Sequence, residues 1–451
     1  MIKNKKLHKA AISAFLLTLL PAIEADAVET ALDPGFSGLG LSTYGPRVQP
    51  IGRGVSTSKD EDEDDVSGTF FYPAVGVGVS TDDNINRTPV NEQSATIYHL
   101  RPALGVQTGK SPTRFRAGYI GDYAKYTGTN FDDLYSFDDH DLYAGVSGYG
   151  MKSSYDVTAN YLRGHDSLSG GTGAVGIDQT LRRFDKWDRY SLLGSTDLGA
   201  RGARVNLRLD GLLQNNRQDK LKSLDYDTAA LGAMLKLRLG TKTYGVLEGG
   251  WRDWDYKNSN ADADRYYARL GVSWEATAKT KGLLSYGTEK YNPDNPGEPI
   301  VSDEPGPTFG SNEKSKNSTW QGQIDWEVRL RDLIRFRTYK GSRNSSGTGS
   351  HRVSTRYTIG WTHDWSDRIR TNLGYMDGTD DYKGTDRFDD LLRYNFDLSY
   401  KFRRNMLLRG TYIFEDLDSN VEMVSYDRNR FGLFFDWEYL FPKRIMSHNL
   451  H

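Results

Sequence analysis

Arginine residues recur two or four positions apart along this 451-residue chain. In an extended strand such residues share one face, because successive side chains alternate between the two faces. Guanidinium groups bind carboxylate and phosphate in bidentate fashion, so a row of them suits an anionic ligand. The pairs include Arg114 with Arg116, Arg204 with Arg208, Arg265 with Arg269, Arg335 with Arg337, Arg352 with Arg356, and Arg368 with Arg370.

The rest of the sequence offers little for catalysis. It has no cysteine, which excludes disulfides, thiolate metal sites and cysteine nucleophiles. None of its eight histidines falls in a zinc-hydrolase motif, and neither a nucleophile-elbow motif nor a nucleotide-binding loop occurs. His99 and His351 are expected to be polar wall residues. We therefore expect a protein that is not an enzyme and that binds no cofactor, metal or nucleic acid.

Low hydropathy restricts how this chain can meet a membrane. The mean hydropathy is −0.66, which is too polar for a bundle of membrane helices of about 20 apolar residues each. A β-barrel escapes this limit because only every second strand residue must face lipid. The 28 Tyr and 47 Gly, against 14 Pro, favour a protein made of many strands.

The chain divides into four predicted parts. Residues 1–27 have the pattern of a signal peptide, with lysines before an apolar run and a small-residue cleavage site at Ala25-Asp26-Ala27. Residues 28–68 are rich in Gly, Ser and Pro and end in an acidic run, which indicates a flexible periplasmic arm. Residues 69–440 carry a repeated strand pattern, and residues 441–451 form a tail.

The repeated pattern predicts eighteen strands, from a first segment at 69–80 to a last at 424–440. Tight connections alternate in strict order with longer ones, which include 165–184 and 292–316. Short turns at one end and long loops at the other are typical of an outer-membrane barrel. The predicted fold is therefore an all-β, transmembrane, up-and-down antiparallel β-barrel of about eighteen strands, with both termini in the periplasm of a two-membrane bacterium.

The last segment shows most clearly what each face of a strand does. One face is apolar and rich in aromatics, and the other carries charge, as expected where lipid lies outside and water inside. The first face holds Phe431, Leu433, Phe435, Trp437 and Tyr439, and the second holds Arg430, Gly432, Asp436 and Glu438.

The same register predicts a basic interior. Most carboxylates are expected in or beside the outer loops, including Asp82-Asp83 and Asp380-Asp381, which would give an acidic outer rim. A ring of arginines favours anions, although arginines also form ladders with acids on neighbouring strands, and both readings stay open. The predicted pore-lining residues are Arg101, Arg114, Arg116, Arg204, Arg208, Arg238, Arg265, Arg269, Arg329, Arg335, Arg337, Arg352, Arg356, Arg368, Arg370, Arg393 and Arg409.

Two groups of residues resemble known sequences. The spacing of Arg430, Gly432, Phe435 and Trp437 resembles the C-terminal signal that the barrel-assembly machinery recognises. The stretches Tyr72-Pro73-Ala74-Val75-Gly76-Val77, Asp82 to Thr88 and Leu100-Arg101-Pro102 resemble the start of the second β-barrel porin family (BBP2-like), which is associated with exopolysaccharide export loci. The strand count and basic lumen are also similar to those of the alginate-export porin.

Pattern and resemblance together predict a pore that exports a secreted, anionic exopolysaccharide by passive conduction. The expected partners are the polysaccharide, the lipid bilayer, the barrel-assembly machinery and periplasmic export proteins. A general or anion-selective uptake porin is one alternative, because the direction of transport leaves no trace in the sequence. A structural surface barrel with a blocked lumen is another.

Overall fold

A computed structural model describes the strand-forming part of the chain. The described residues are 68–110, 112–128, 136–166, 185–200, 202–277, 279–303, 310–344, 348–421 and 424–438. The predicted signal peptide, the arm up to residue 67 and the C-terminal tail lie outside these ranges, as does the 167–184 part of a predicted loop.

The described residues form eighteen β-strands, with a 3-10 turn at Lys222–Leu224. No helix among them is long and apolar enough to cross a membrane. The strands are β1 (Gly68–Asp82), β2 (Ala95–Lys110), β3 (Thr113–Thr127), β4 (Phe137–Tyr149), β5 (Ser153–Asp166), β6 (Asp185–Leu198), β7 (Val205–Gln218), β8 (Tyr226–Arg238), β9 (Thr243–Tyr256), β10 (Ala263–Thr277), β11 (Thr280–Pro293), β12 (Ser315–Arg329), β13 (Asp332–Asn344), β14 (His351–Asp364), β15 (Ile369–Lys383), β16 (Phe388–Arg403), β17 (Met406–Ser419) and β18 (Tyr426–Glu438).

Each strand pairs antiparallel with the strands before and after it in sequence, and β1 also pairs with β18. This last pairing runs from Ala74 opposite Glu438 to Asp82 opposite Arg430, and it closes the sheet into a barrel. Closure leaves no edge strand with unpaired backbone groups. The predicted all-β barrel of eighteen antiparallel strands is confirmed.

The connections divide the barrel into a short-turn end and a long-loop end. At the short-turn end, only two residues separate β12 from β13 and two separate β16 from β17. At the long-loop end, the connections include residues 83–94 and 294–314. The alternation follows the predicted order, whereas the periplasmic position of the termini stays a prediction.

Side chains on the two faces of the wall differ as the sequence predicts. On β16, Tyr394, Phe396 and Leu398 are exposed at 45%, 38% and 43% on the outer surface. The alternating residues, among them Arg393 and Asp397, point inward with the buried charges of neighbouring strands. The exposed apolar side chains form an outer surface suited to lipid.

Apolar clusters interrupt the polar interior at the long-loop end. Trp254, Ala263 and Tyr291 pack together on β9, β10 and β11, and Tyr226 and Tyr256 lie against them. A second cluster joins Ile97 of β2 with Ala124 and Tyr126 of β3 and Phe137 of β4. The interior therefore has aromatic surface beside its charges.

Close approach of two strands makes a glycine necessary at one position of the wall. A Cβ on Gly287 of β11 would lie 1.9 Å from the Ala268 carbonyl oxygen and 2.7 Å from Arg269 Cα on β10. By contrast, a Cβ on Gly410 of β17 would meet no atom within 4 Å. These two strand glycines form a matched pair for testing the packing of the wall.

We expect Gly287→Ala to lower the free energy of unfolding by about 1–3 kcal/mol, because backbone atoms of β10 must move to admit the methyl group. Gly410→Ala should change it by less than about 0.5 kcal/mol. Urea titration of the refolded barrel in detergent micelles measures both. Equal midpoints for the two variants would contradict the packing of β10 against β11.

Candidate functional site in the barrel interior

Because side chains alternate between the two faces of a strand, a row of arginines on β13 and β14 points into the barrel interior. On β13 and β14, Arg335, Arg337, Arg352 and Arg356 lie on the face opposite to the exposed ring of Tyr357. Arg356 is only 6% exposed. The predicted inward direction of these arginines is therefore seen in the structure.

One carboxylate of β15 holds two of these arginines. Asp380 Oδ2 accepts a hydrogen bond from Arg356 Nη2 at 2.7 Å and another from Arg352 Nη1 at 3.2 Å. The Ser354 hydroxyl donates to the other carboxylate oxygen. One negative charge thus faces two positive charges, which leaves the cluster with a net positive charge.

Asp436 of β18 repeats this arrangement further down the barrel. Its carboxylate accepts a hydrogen bond from Arg409 of β17 and lies 3.4 Å from Arg101 Nη2 of β2. The Arg101 guanidinium also stacks on the Phe434 ring, 4.2 Å from its centroid. The cluster crosses the seam at which β18 meets β1.

A third group at the long-loop end joins two carboxylates through one arginine. Arg428 of β18 donates to Asp82 and also lies 3.3 Å from Glu415 of β17. Arg430 lies 3.7 Å from Asp82, and Arg393 donates to Glu415.

These three clusters contain more positive charge than negative charge. Arg87, from the connection after β1, approaches Glu415 at 3.9 Å and completes the set. Four carboxylates, Asp82, Asp380, Glu415 and Asp436, are in contact with eight arginines, Arg87, Arg101, Arg352, Arg356, Arg393, Arg409, Arg428 and Arg430. Asp397 of β16 and Glu438 of β18 add two inward carboxylates, so the arc of wall from β14 through β18 to β2 keeps an excess of arginines.

Other arginines of the wall have individual carboxylate partners. Arg269 Nε lies 2.9 Å from Glu248, and Arg265 Nε lies 3.5 Å from Glu289. Further pairs are Arg116 with Asp156, Arg208 with Asp210, Arg335 with Asp325, and Arg370 with Asp364. These pairs match the ladder reading of the sequence, in which charges on neighbouring strands stiffen the wall.

Three acids of the wall from β3 to β4 contact a histidine or an asparagine. Asp122 lies 3.1 Å from His99 Nδ1, and Asp139 lies 2.8 Å from His165 Nδ1. Asp141 accepts a hydrogen bond from Asn160 at 2.7 Å. These three contacts differ from the clusters of the arc from β14 to β2, in which arginines contact the carboxylates.

Arg337 differs from the other inward arginines of β13 and β14. It pairs opposite Gln323 on β12 and Thr358 on β14, both uncharged. Within the described part of the chain, Arg337 forms no ion pair with a carboxylate. Its charge is therefore available to a ligand.

Several predicted pore-lining residues lie at the short-turn end. Arg204 and Arg368 precede the first residues of β7 and β15, so their predicted strand positions are wrong. Arg238 and Arg329 are the exposed last residues of β8 and β12, and Arg114 is the second residue of β3. Arg238 donates to the backbone carbonyls of Gly202, Gly240 and Thr241, which explains how it fastens two adjacent turns.

The predicted acidic outer rim needs correction. In four adjoining pairs of aspartates that the structure describes, one member points into the barrel and is buried, namely Asp82, Asp139, Asp380 and Asp389. Its neighbour pairs elsewhere: Asp138 binds Lys186, and Asp381 binds Lys383. β1 and β15 extend beyond their predicted ends, to Asp82 and Lys383, so alternation continues through Asp82 and Asp380 and brings both to arginines.

The residues of the predicted assembly signal all lie on β18. Arg430 contacts Asp82, while Phe435 and Trp437 are half-buried residues of the outward-facing set. A Cβ on Gly432 would lie 2.5 Å from Phe434 Cε2, so this glycine makes room for an inward ring. Recognition by the assembly machinery remains a prediction.

Comparison with known sequences finds a family match over eleven of the eighteen strands. Residues 225–437, which include β8 to β18, match the family described as “Putative beta-barrel porin 2”. The chain is a porin-like barrel of the bacterial outer membrane. The predicted family resemblance is confirmed over these residues, whereas the motifs near residues 72–102 lie before them. No curated protein sequence matches the chain significantly.

Solved barrels of similar fold share little sequence with this porin-like chain. OccAB3 of Acinetobacter baumannii is 10% identical, and the alignment covers 82% of this chain and 99% of that one at a TM-score of 0.44. OccK8 of Pseudomonas aeruginosa is 11% identical, with 82% and 98% covered and a TM-score of 0.41. A bacterial polysaccharide outer membrane secretin is 10% identical, with 82% and 98% covered and a TM-score of 0.35.

Removing the charge of Asp380 should leave two buried arginines without compensation. We expect Asp380→Asn to lower the free energy of unfolding by about 3 kcal/mol, because a buried pair has lost one partner. The matched control is Asp367→Asn in a short turn, whose pair with Arg331 has side chains 95% and 54% exposed and should not affect stability measurably. Urea midpoints measure both, and equal midpoints would show that Asp380 does not hold the cluster.

Proposed function

We propose that this outer-membrane barrel exports an anionic exopolysaccharide by passive conduction. The observation that carries the proposal is the excess of arginines over carboxylates along the arc from β14 to β2. The family match over residues 225–437 supports a pore. An arginine-lined lumen favours anions over cations.

The basic arc offers sites at different positions along its strands. Counted from the long-loop end, Arg428 is the third residue of β18 and Arg356 the sixth residue of β14. Counted from the short-turn end, Arg409 is the fourth residue of β17 and Arg337 the sixth residue of β13. Each guanidinium that shares a carboxylate has hydrogen-bond donors to spare for a carboxylate of the polymer. Repeated weak sites let a polymer enter and leave, whereas one tight site would hold it.

Inward aromatic rings beside these charges suit sugar rings. Tyr267 lies between Arg265 and Arg269, whose guanidinium carbons are 5.4 and 4.5 Å from its ring centroid. The guanidinium carbon of Arg343 lies 4.6 Å from the ring centroid of Tyr339, and Tyr143 is a third inward ring. We propose that these tyrosines stack on sugars while the arginines bind acidic groups.

The connection between β11 and β12 is our candidate gate at the long-loop end. Val301 O accepts a hydrogen bond from Asn260 N at 3.3 Å, and Ser311 N donates to Gly384 O at 3.1 Å. The Glu313 carboxylate also accepts from Gly384 N at 2.8 Å. This connection is thus fastened to two others, and gating would require these hydrogen bonds to break.

The test of conduction is ion selectivity in a planar bilayer. We expect the wild-type barrel to prefer anions and Arg335→Glu with Arg337→Glu to shift the reversal potential toward cations, because both side chains face the lumen. Arg331→Glu, in an exposed turn, is the matched control and should leave the potential unchanged. Short polyuronate chains should block the wild-type current, and neutral dextrans of equal length should not.

The bilayer measurement also distinguishes the two alternative functions, a structural surface barrel and an uptake porin. A barrel without current in the bilayer is the structural surface barrel, and a cation preference would overturn the proposal. An anion-selective current insensitive to polyuronate favours an uptake porin for small anions. Direction is tested separately, since loss of an exporter should trap polymer in the periplasm.

The arm that precedes β1 is proposed to meet a periplasmic export partner or to enter the basic lumen as a plug. Its run of acidic residues, 60–65, is complementary to the arginine-rich arc. The arm lies outside the described residues, and the proposal rests on its sequence.

A further inference from the structure

Three side chains on neighbouring strands are joined by hydrogen bonds. The proposed conduction of a polymer gives them no role. Ser80 lies on β1, His99 on β2 and Asp122 on β3, all facing the interior. Ser80 Oγ lies 3.2 Å from His99 Nε2, and His99 Nδ1 lies 3.1 Å from Asp122 Oδ1. They are 4%, 6% and 2% exposed.

The order of atoms in this series assigns each group a role. An ionised carboxylate only accepts hydrogen bonds, so His99 Nδ1 carries the proton that it donates to Asp122. The neutral ring then has Nε2 free to accept the Ser80 hydroxyl hydrogen. Serine hydrolases hold their nucleophile, base and orienting acid in this order.

Two other histidines of the barrel have only part of this arrangement. His363 Nδ1 lies 2.6 Å from Asp332 Oδ1, and no serine of the described chain hydrogen-bonds to its ring. His351 lies 2.7 Å from Ser315 Oγ and 2.8 Å from Ser350 Oγ, with no described carboxylate at either ring nitrogen. Serine and carboxylate meet on opposite ring nitrogens at His99.

The Phe434 ring lies over the two glycines that flank Ser80 on the inner face. Gly432 pairs opposite Ser80, and Gly78 precedes Ser80 by two residues on the same face. A Cβ on Gly78 would lie 2.1 Å from Phe434 Cδ1, so the Phe434 ring lies across this glycine as it does across Gly432. The ring is also 5.7 Å from that of His99. Rotation of Phe434 would open a space about one ring wide beside Ser80.

We propose that Ser80, His99 and Asp122 hydrolyse short acyl esters, such as acetyl esters, on solutes that enter the barrel. Ser80 Oγ attacks the carbonyl carbon while His99 Nε2 takes the hydroxyl proton. Collapse of the tetrahedral intermediate breaks the ester bond, and His99 returns the proton to the departing alcohol. Water then attacks the acylated serine with His99 as base, which releases the acid and restores the Ser80 hydroxyl.

The surroundings suit this chemistry. Arg101 is two residues from His99 on the same face, and Arg430 lies opposite Asp82, two residues beyond Ser80. Their positive charges favour the oxyanion that develops on the substrate carbonyl. A space no wider than the displaced Phe434 ring would admit only a short acyl group. The proposal does not depend on which solute the pore conducts.

The test is labelling of the purified, folded full-length barrel with a fluorophosphonate probe, followed by mass spectrometry. We expect the label on Ser80, and hydrolysis of p-nitrophenyl acetate that Ser80→Ala or His99→Ala abolishes. Asp122→Asn should slow hydrolysis by roughly 10⁴-fold, because the imidazole then adopts the wrong tautomer. Phe434→Ala should speed labelling by uncovering the serine.

Ser315→Ala is the matched control, because Ser315 contacts a histidine that lacks the carboxylate partner, and it should leave both readouts unchanged. The heat-dependent gel migration of each variant shows whether its barrel has formed. An unlabelled Ser80 in folded wild type and in folded Phe434→Ala would overturn the proposal and leave the three residues as a polar part of the wall.

Discussion

Within a hydrocarbon layer, every backbone N–H and C=O group needs a partner inside the protein, and this requirement determines the whole structure. Pairing β1 with β18 meets it, because closure removes the last open edges. Once the sheet is closed, every strand side chain faces either the outer surface or the interior. Tyr394 and Phe396 lie outside, and the charges of the same strand, such as Arg393, lie inside.

Arginines that lie close together inside a barrel repel one another unless carboxylates lie between them. The number of arginines that each carboxylate contacts differs around this barrel. Glu248 and Glu289 each contact one arginine, which gives a stiff and nearly neutral wall. Asp380 and Asp436 each contact two, which leaves positive charge on one side of the lumen. The sequence allowed two interpretations, arginines that favour anions and arginines that form ladders with acids. Each describes some of the arginines of this barrel.

The sequence was sufficient for the strand number, their order, the alternation of connections and the inward direction of residues such as Arg335. These features follow from period-two alternation and turn chemistry, which are local. The carboxylate partners of the arginines could not be predicted from the sequence, because they depend on the register between strands and on where each strand ends. Asp82 and Asp380 were assigned to loops, although an adjacent pair of aspartates within a strand must place one residue on each face.

Arg428 and the group of Ser80, His99 and Asp122 also show what the sequence alone does not predict. Arg428 was not predicted to face the interior, although its spacing from Arg430 places it there. His99 was predicted to be a polar wall residue, and its sequence position gives no sign of Ser80 or Asp122. Those residues are 19 and 23 positions away and meet it only through the pairing of three strands.

The junction between the first and last strands has a consequence for biogenesis. Asp82 is 346 residues from Arg428, and Arg101 is 335 residues from Asp436, yet both contacts span or adjoin that junction. Neither can form until the whole polypeptide has been delivered to the membrane. An unfinished barrel would therefore display unmatched charges along its open margins, which discourages fusion with a neighbouring copy and reserves these contacts for the chain's own two ends.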